Sequence, residues 1–455
     1  MTRVTGSNQA VIRAMVTDDT SLYRRTIADI LDGMDNVEVI AAAYDGEDCL
    51  VQASKLLPDF ITMDIQMPRR NGLSTLEEIK KRKLPIHVVM VCSETEESAE
   101  QTVQALRMGA LDMILKPNGT DFSENKRSLE QQLANHVQTV RALKGRRNPF
   151  APQAEIPSAE PAASAPPAVQ QKDSPEPSST SSLTAAESRI AARRRRAQDE
   201  SPQTQGETEQ PNSNNAQEDI QPAPAAQEPA PVARRKYQVD PSSIERSIEP
   251  AISRPKKSAI PQCICIGVST GGPQSLGILI QDFPLGLPLP IFIVQHMPPI
   301  FTKSLADHLN RSGKIRVSEA VDGEMAKDGH IYIAPGGKHM RVDRKPSGLQ
   351  IQITNDPPVG ACKPSVDYLF ESVERCVGGD AIAIILTGMG ADGLAGCKKL
   401  HASGARVIAQ NAETCVVYGM PRQIVDNNLA HEILPLSEIA SRIGQLVPKR
   451  SIECN

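Results

Sequence analysis

Along this chain the hydrophobic residues gather in short β-rich runs separated by stretches of helical spacing. Runs at 11–17, 37–43, 60–63, 86–91 and 112–115 read as strands, while Leu22, Ile27, Ile30 and Leu31 recur at helical intervals between the first two. A continuous apolar run suits a strand buried on both faces, and strands alternating with helices predict a parallel sheet covered on both sides. The pattern returns further on, with runs at 263–267, 291–294, 330–334, 381–386 and 405–410 and helical spacing over 273–282, 301–312, 365–377 and 393–402. Runs at 340–343 and 349–353 flank Pro346-Ser347-Gly348 and predict a hairpin on one edge of that second sheet. The expected fold class is therefore α/β, with two doubly wound parallel-sheet domains over 11–145 and 259–447. In such folds functional residues gather at the carboxyl ends of the strands.

Composition changes the picture between them. No aromatic residue lies between Phe150 and Tyr237, and Pro, Ala, Gln, Ser and Glu dominate. Such a stretch buries too little apolar area to offset its ordering entropy, so 146–258 is expected to be a long disordered linker. Its run Arg193, Arg194, Arg195 and Arg196 reads as a solvated patch. A net charge of −4, from 50 basic and 54 acidic residues, gives little pull toward nucleic acid or anionic membrane, and neither is an expected partner. No apolar run reaches the roughly 18 residues a membrane helix takes, and the first residues lack the apolar segment of a secretory signal. The expected location is the cytoplasm, without membrane insertion. Nine cysteines with no C-x-x-C pair fit reduced thiols rather than a disulfide framework or a structural zinc site.

The first region carries a charge cluster. Asp18 and Asp19 end the first predicted strand, Asp64 ends the third, and Lys116-Pro117 follows the fifth. Carboxylates gathered this closely repel, and a hard divalent cation such as Mg²⁺, which bridges carboxylate and phosphate oxygens, resolves the conflict. A carboxylate can then take a phosphoryl group while an ammonium neutralises its charge. Asp18-Asp19, Met63-Asp64-Ile65-Gln66-Met67-Pro68 with Asn71-Gly72, Gly109-Ala110 and Lys116-Pro117 together resemble the receiver domain of two-component response regulators. The resemblance implies a flavodoxin-like fold, Asp64 as phosphoacceptor, Asp18, Asp19 and Asp64 around Mg²⁺, and Lys116 on the phosphoryl group. Two positions depart from the family pattern: Cys92, with Ser93 next, stands where a Ser or Thr hydroxyl is usual, and Met113 where an aromatic ring is usual.

In the second region, Gly267-Val268-Ser269-Thr270-Gly271-Gly272-Pro273 places a serine at a strand-to-helix turn. Glycine-rich phosphate binding and a G-x-S-x-G nucleophile elbow both use such a turn. The other strand ends favour the second: Gln295-His296-Met297-Pro298 offers a base, and Thr387-Gly388-Met389-Gly390-Ala391-Asp392-Gly393 an acid. No G-x-G-x-x-G follows the first strand, which ranks dinucleotide binding lower. The chain order Ser, His, Asp also differs from that of α/β-hydrolases. These runs, with Ile333-Ala334-Pro335-Gly336-Gly337, resemble the protein-glutamate methylesterase of bacterial chemotaxis, a family whose architecture places a receiver first.

That resemblance implies a Rossmann-like methylesterase domain that hydrolyses glutamyl methyl esters, and deamidates certain glutamines, on methyl-accepting chemoreceptors. Ser269 becomes the nucleophile, His296 the base and Asp392 the orienting acid, with the backbone at Met389 and Thr270 as oxyanion-side residues. Ester hydrolysis needs no cofactor, whereas receiver phosphorylation needs Mg²⁺ and a chemotaxis histidine kinase as donor. The unphosphorylated receiver is expected to cover the catalytic cleft. A tether of roughly 100 residues lowers the effective concentration of that docking, which predicts incomplete repression.

Overall fold

The structure, a computed structural model, describes residues 10–144 and 261–447. The expected linker and its arginine run lie outside them.

Residues 10–144 alternate strand and helix throughout: β1 (Ile12–Thr17), α1 (Ser21–Asp32), β2 (Val37–Ala43), α2 (Gly46–Leu56), β3 (Phe60–Asp64), α3 (Gly72–Lys81), β4 (His87–Cys92), α4 (Glu96–Arg107), β5 (Asp112–Leu115) and α5 (Phe122–Leu143). The strands form one sheet in the order β2-β1-β3-β4-β5, every pairing parallel. β3, sequence FITMD, is buried at every position, as a central parallel strand must be when helices cover both faces. Chain order thus runs outward on both sides of β1, the arrangement that opens a crevice at the carboxyl ends of β1 and β3.

Residues 261–447 contain β6 (Cys263–Val268), α6 (Gly272–Gln281), β7 (Ile291–Gln295), α7 (Phe301–Ser312), β8 (Arg316–Glu319), β9 (His330–Ile333), β10 (His339–Lys345), β11 (Gly348–Thr354), α8 (Val366–Val377), β12 (Ala381–Ile385), α9 (Leu394–Ala402), β13 (Arg406–Gln410), α10 (Met420–Asp426), β14 (Glu432–Leu434) and α11 (Leu436–Leu446). Seven strands make a parallel sheet in the order β14-β13-β12-β6-β7-β9-β8. Its centre is β12-β6-β7, written AIAII, CICIGV and IFIVQ and buried along its whole length. β6 is flanked by strands that arrive from different parts of the chain, so the crevice of this sheet opens at its carboxyl end.

The hairpin predicted on a sheet edge is present but stands apart. β10 and β11 pair antiparallel, Met340 opposite Ile353 and Lys345 opposite Gly348, as a separate two-stranded sheet. Met340, Val342, Leu349 and Ile351 share a buried cluster with Leu369, Phe370 and Val373 of α8 and with Phe292 and Tyr332 of the main sheet, so their alternating apolar face packs into the domain core without joining the main sheet's ladder. The edge strands β8 and β14 were not predicted. They are only four and three residues long, Arg-Val-Ser-Glu and Glu-Ile-Leu, and each includes a charged residue, so as short edge strands they leave no long apolar run to find.

The two described segments belong to one compact unit. Helix α4 packs across α6 and α7, and Leu106 and Met113 lie in the same buried cluster as Leu276 and Leu305. Polar links cross the same boundary. Thr270 Oγ1 donates to Asp112 at 2.6 Å, Arg311 reaches Glu100 at 3.1 Å, and Thr139 Oγ1 donates to the Met389 sulfur at 3.4 Å.

Candidate active site

Three neighbouring strands deliver three side chains to one end of the second sheet. Register pairs Val268 with Gln295 and Gly267 with Ile385, so the residues just beyond β6, β7 and β12 open toward a common crevice. Ser269 follows β6 at a turn whose next glycine, Gly271, holds φ at +77°, a left-handed conformation that side chains resist. Pro273 then occupies the first turn of α6, where its missing N–H costs nothing. A second close approach fixes the serine from below. A Cβ added to Gly388 would stand 2.7 Å from Ser269 Cβ, and the Ser269 amide donates to Thr387 O at 3.0 Å. Gln295 completes the cradle by donating from Nε2 to Ser269 O at 3.0 Å.

His296 and Asp392 form a short pair, Nε2 to Oδ2 at 2.7 Å, with side chains 18% and 8% exposed. Asp392 is held from every side. Oδ1 accepts from Ser365 Oγ at 2.9 Å and from the amides of Asp367 and Gly393 at 3.0 Å, and Oδ2 accepts from the Val366 amide at 2.7 Å. Burial works against its ionisation, but the bond to His296 and these amides outweigh it and hold the carboxyl below its usual range. For His296 burial alone would depress the imidazole; hydrogen bonds to Asp392 and Cys362 overcome that and raise it to about 9. With Nε2 engaged by the carboxylate, Nδ1 is the nitrogen left to exchange a proton. The Ser269 hydroxyl is not hydrogen-bonded to the ring in this arrangement, a spacing common before substrate binds.

Ser269, His296 and Cys362 line a cavity of about 380 Å³ that Met113, Leu115 and Gln132 of the first domain also line. Thr270, expected on the oxyanion side, spends its hydroxyl on Asp112, and Met389 offers its sulfur to Thr139. The residues that sequence reasoning passed over are Cys362, Ser365 and Asp112. Ser365 caps α8 by accepting from the Tyr368 amide, and the Ser-Val-Asp opening of that helix was a readable cap signal. The other two announce themselves only through tertiary contact.

At the carboxyl end of the first sheet, Lys116 Nζ stands 2.9 Å from Asp18 Oδ2 and 2.7 Å from Asp64 Oδ2. Carboxylate oxygens of Asp18, Asp19 and Asp64 all lie within 4.8 Å of one another. Burial pushes the Asp64 carboxyl up despite the opposing Lys116 ammonium, while Lys116, which burial would lower, is raised by Asp64 and Asp18. An all-oxygen, net-negative set of this kind fits a hard cation. Cys92, beside it, donates to Ile114 O at 3.4 Å, and burial lifts its thiol to about 12, so the sulfur stays protonated. Met113 is buried and points its backbone carbonyl to His136 at 3.1 Å.

Residues 14–124 match the family model for the response regulator receiver domain, and 264–443 that for the CheB methylesterase. A protein-glutamate methylesterase/protein-glutamine glutaminase of Desulfotalea psychrophila is 36% identical over 438 residues, 96% of this chain and 98% of that protein. The chain belongs to this methylesterase family. A protein of the same name from Bacillus subtilis is 34% identical over 444 residues, 97% of this chain and all of its own length. Among solved structures, the Thermotoga maritima CheB methylesterase catalytic domain is 39% identical, covering 42% of this chain and all of that one, with a TM-score of 0.41. The chain is thus a hydrolase of the methylesterase family with a receiver domain ahead of it. Among the described residues no helix is long and apolar enough to cross a membrane.

Proposed function

We propose that this methylesterase-family protein removes methyl groups from glutamyl methyl esters, and amide groups from selected glutamines, on cytoplasmic helices of chemoreceptors. Ser269 Oγ attacks the side-chain carbonyl and passes its proton to His296 Nδ1, while Asp392 holds the ring and offsets its charge. In this reading the backbone amide at Met389 would stabilise the oxygen that becomes negative, while the Ser269 amide stays with Thr387 O. Collapse of the tetrahedral adduct returns the proton to the leaving group, releasing methanol or ammonia. Water then repeats the sequence on the acyl-serine and frees glutamate and Ser269. The observation that carries this reading is the His296–Asp392 pair, 2.7 Å apart and saturated with donors, beside a serine held at the next strand end.

In the same reading the receiver gates that chemistry. Met113, Leu115 and Gln132 share the cavity with Ser269, and Asp112 holds Thr270, so this arrangement is the restrained one. Asp64 accepts a phosphoryl group from a histidine kinase, with Lys116 against its oxygens. Asp18, Asp19 and Asp64 would hold Mg²⁺, which when bound neutralises charge on that group. Roughly two added negative charges beside β4 and β5 would rearrange the face that α4 and β5 present to the second domain.

Methanol release from methylated receptor membranes tests the reading. Intact protein should release methanol faster with a small phosphodonor and Mg²⁺, and Ser269→Ala should lose roughly 10⁴-fold or more in kcat under both conditions. Equal release from both proteins would remove the serine mechanism and favour a binding module.

A further inference from the structure

Among the described residues, one group of side chains outside the receiver cluster has the chemistry of a metal site, and it includes a residue that the proposed hydrolysis does not use. Ligand atoms of His296, Cys362 and Asp392 all lie within 4.8 Å of one another, each residue half-buried. They come from three separate places, the ends of β7 and β12 and the turn at 359–362. That turn is pinned: Val359 and Cys362 exchange backbone hydrogen bonds of 3.1 and 2.9 Å, with Gly360 and Ala361 at positive φ between them. Asp392 is fixed by Ser365 and three backbone amides. Both donors are therefore placed before any ion arrives.

The donor types choose the ion. Asp18, Asp19 and Asp64 offer only carboxylate oxygens, which suit Mg²⁺, whereas a thiolate, an imidazole and one carboxylate suit the softer Zn²⁺. With bonds of about 2.0 to 2.3 Å, donors around one tetrahedral zinc stand roughly 3.3 to 3.8 Å apart, so this set needs shifts of about 1 Å or less. His296 and Cys362 line the 380 Å³ cavity that Ser269 also lines. We infer that His296, Cys362 and Asp392 form a zinc site whose occupation switches off the hydrolase. Zinc displaces the Cys362 thiol proton and the proton on the ligating ring nitrogen to solvent. It also pulls His296 away from the proton exchange with Ser269. The inhibitory part rests on His296 being the base; the binding part does not.

Co²⁺, a spectroscopic substitute for zinc, tests the binding on the full metal-free chain with excess Mg²⁺ keeping the receiver carboxylates occupied. One equivalent should produce a thiolate-to-cobalt absorption band that Zn²⁺ displaces, and Cys362→Ser should lose the band and bind zinc at least tenfold more weakly. No band, or the same band in Cys362→Ser, overturns the site. Ester hydrolysis is then followed against free zinc, each protein relative to its own metal-free rate. Cys362→Ser should need at least tenfold more zinc for half inhibition. Full activity of the zinc-loaded wild type overturns the inhibitory role. A chain without esterase activity would count against the proposed function while the cobalt titration still decides the site.

Discussion

Two parallel sheets in this molecule put their chemistry at the same structural address and balance charge there in opposite ways. Beyond β1, β3 and β5, three carboxylates meet one ammonium, and burial pushes Asp64 upward even with Lys116 at 2.7 Å. That site is short of positive charge, a balance that suits a hard cation. Beyond β6, β7 and β12, the single carboxylate of Asp392 already has five donors, and its negative charge is answered by His296 at 2.7 Å. This second site is internally compensated. Topology places both sets of residues; the local charge balance distinguishes them, and in the proposed function it separates a switch from a catalyst.

The largest expected effect attacks that compensation. Asp392→Asn keeps the size of the side chain but removes the charge, and should lower kcat roughly 10⁴-fold. The pH profile sharpens the same point. His296 is raised to about 9, so at neutral pH most of it is protonated and unable to accept a proton. The rate of the phosphodonor-free chain should therefore climb as pH rises from 7 toward 9. In Asp392→Asn the raising partner is gone, and the residual rate should reach its plateau at lower pH. A wild-type rate that is flat between 7 and 9 would contradict the pairing.

The receiver site is tested by Asp64→Asn, which leaves Lys116 and Asp18 in place but offers no carboxylate for phosphorylation. Methanol release with and without phosphodonor should become equal. Stimulation that survives would place the phosphoryl group elsewhere and break the division between a switching sheet and a catalytic one.

How much of this could be read in the sequence follows from where each signal is stored. β3, β6 and β12 are continuous apolar runs because helices cover both faces, and a run of that kind is visible in one dimension. Asp18, Asp64, Lys116, Ser269 and His296 were visible because each directly follows or ends such a run, and Asp392 because it closes the glycine-rich loop that leaves β12. β8 and β14 were not, because an edge strand needs no apolar face. Cys362 lies on a turn with no periodicity, and Asp112 meets Thr270 across 158 residues of sequence. Met113, read as standing where an aromatic ring is usual, lines the cavity that Ser269 also lines, a contact that local sequence does not encode.

The smallest expected effect concerns the seam between the two domains, where contacts differ in burial and so in weight. Arg311 and Glu100 are 59% and 66% exposed, and an ion pair that wet contributes about 0 to 1 kcal/mol, so Glu100→Gln should change the unstimulated rate little. Asp112 and Thr270 meet at 2.6 Å in a partly buried setting, where a hydrogen bond to a charged group contributes about 1.5 kcal/mol or somewhat less after solvent screening. If that bond helps hold the receiver over the cleft, Asp112→Ala should raise the phosphodonor-free rate about five- to tenfold and leave the stimulated rate where it was. Asp112 is the informative partner because Thr270 adjoins the nucleophile, and changing it would mix release with damage to the site. A lower unstimulated rate in Asp112→Ala would mean that the contact supports the catalytic turn rather than restraining it, and the comparison between the two sheets would then have to count Asp112 with the catalyst.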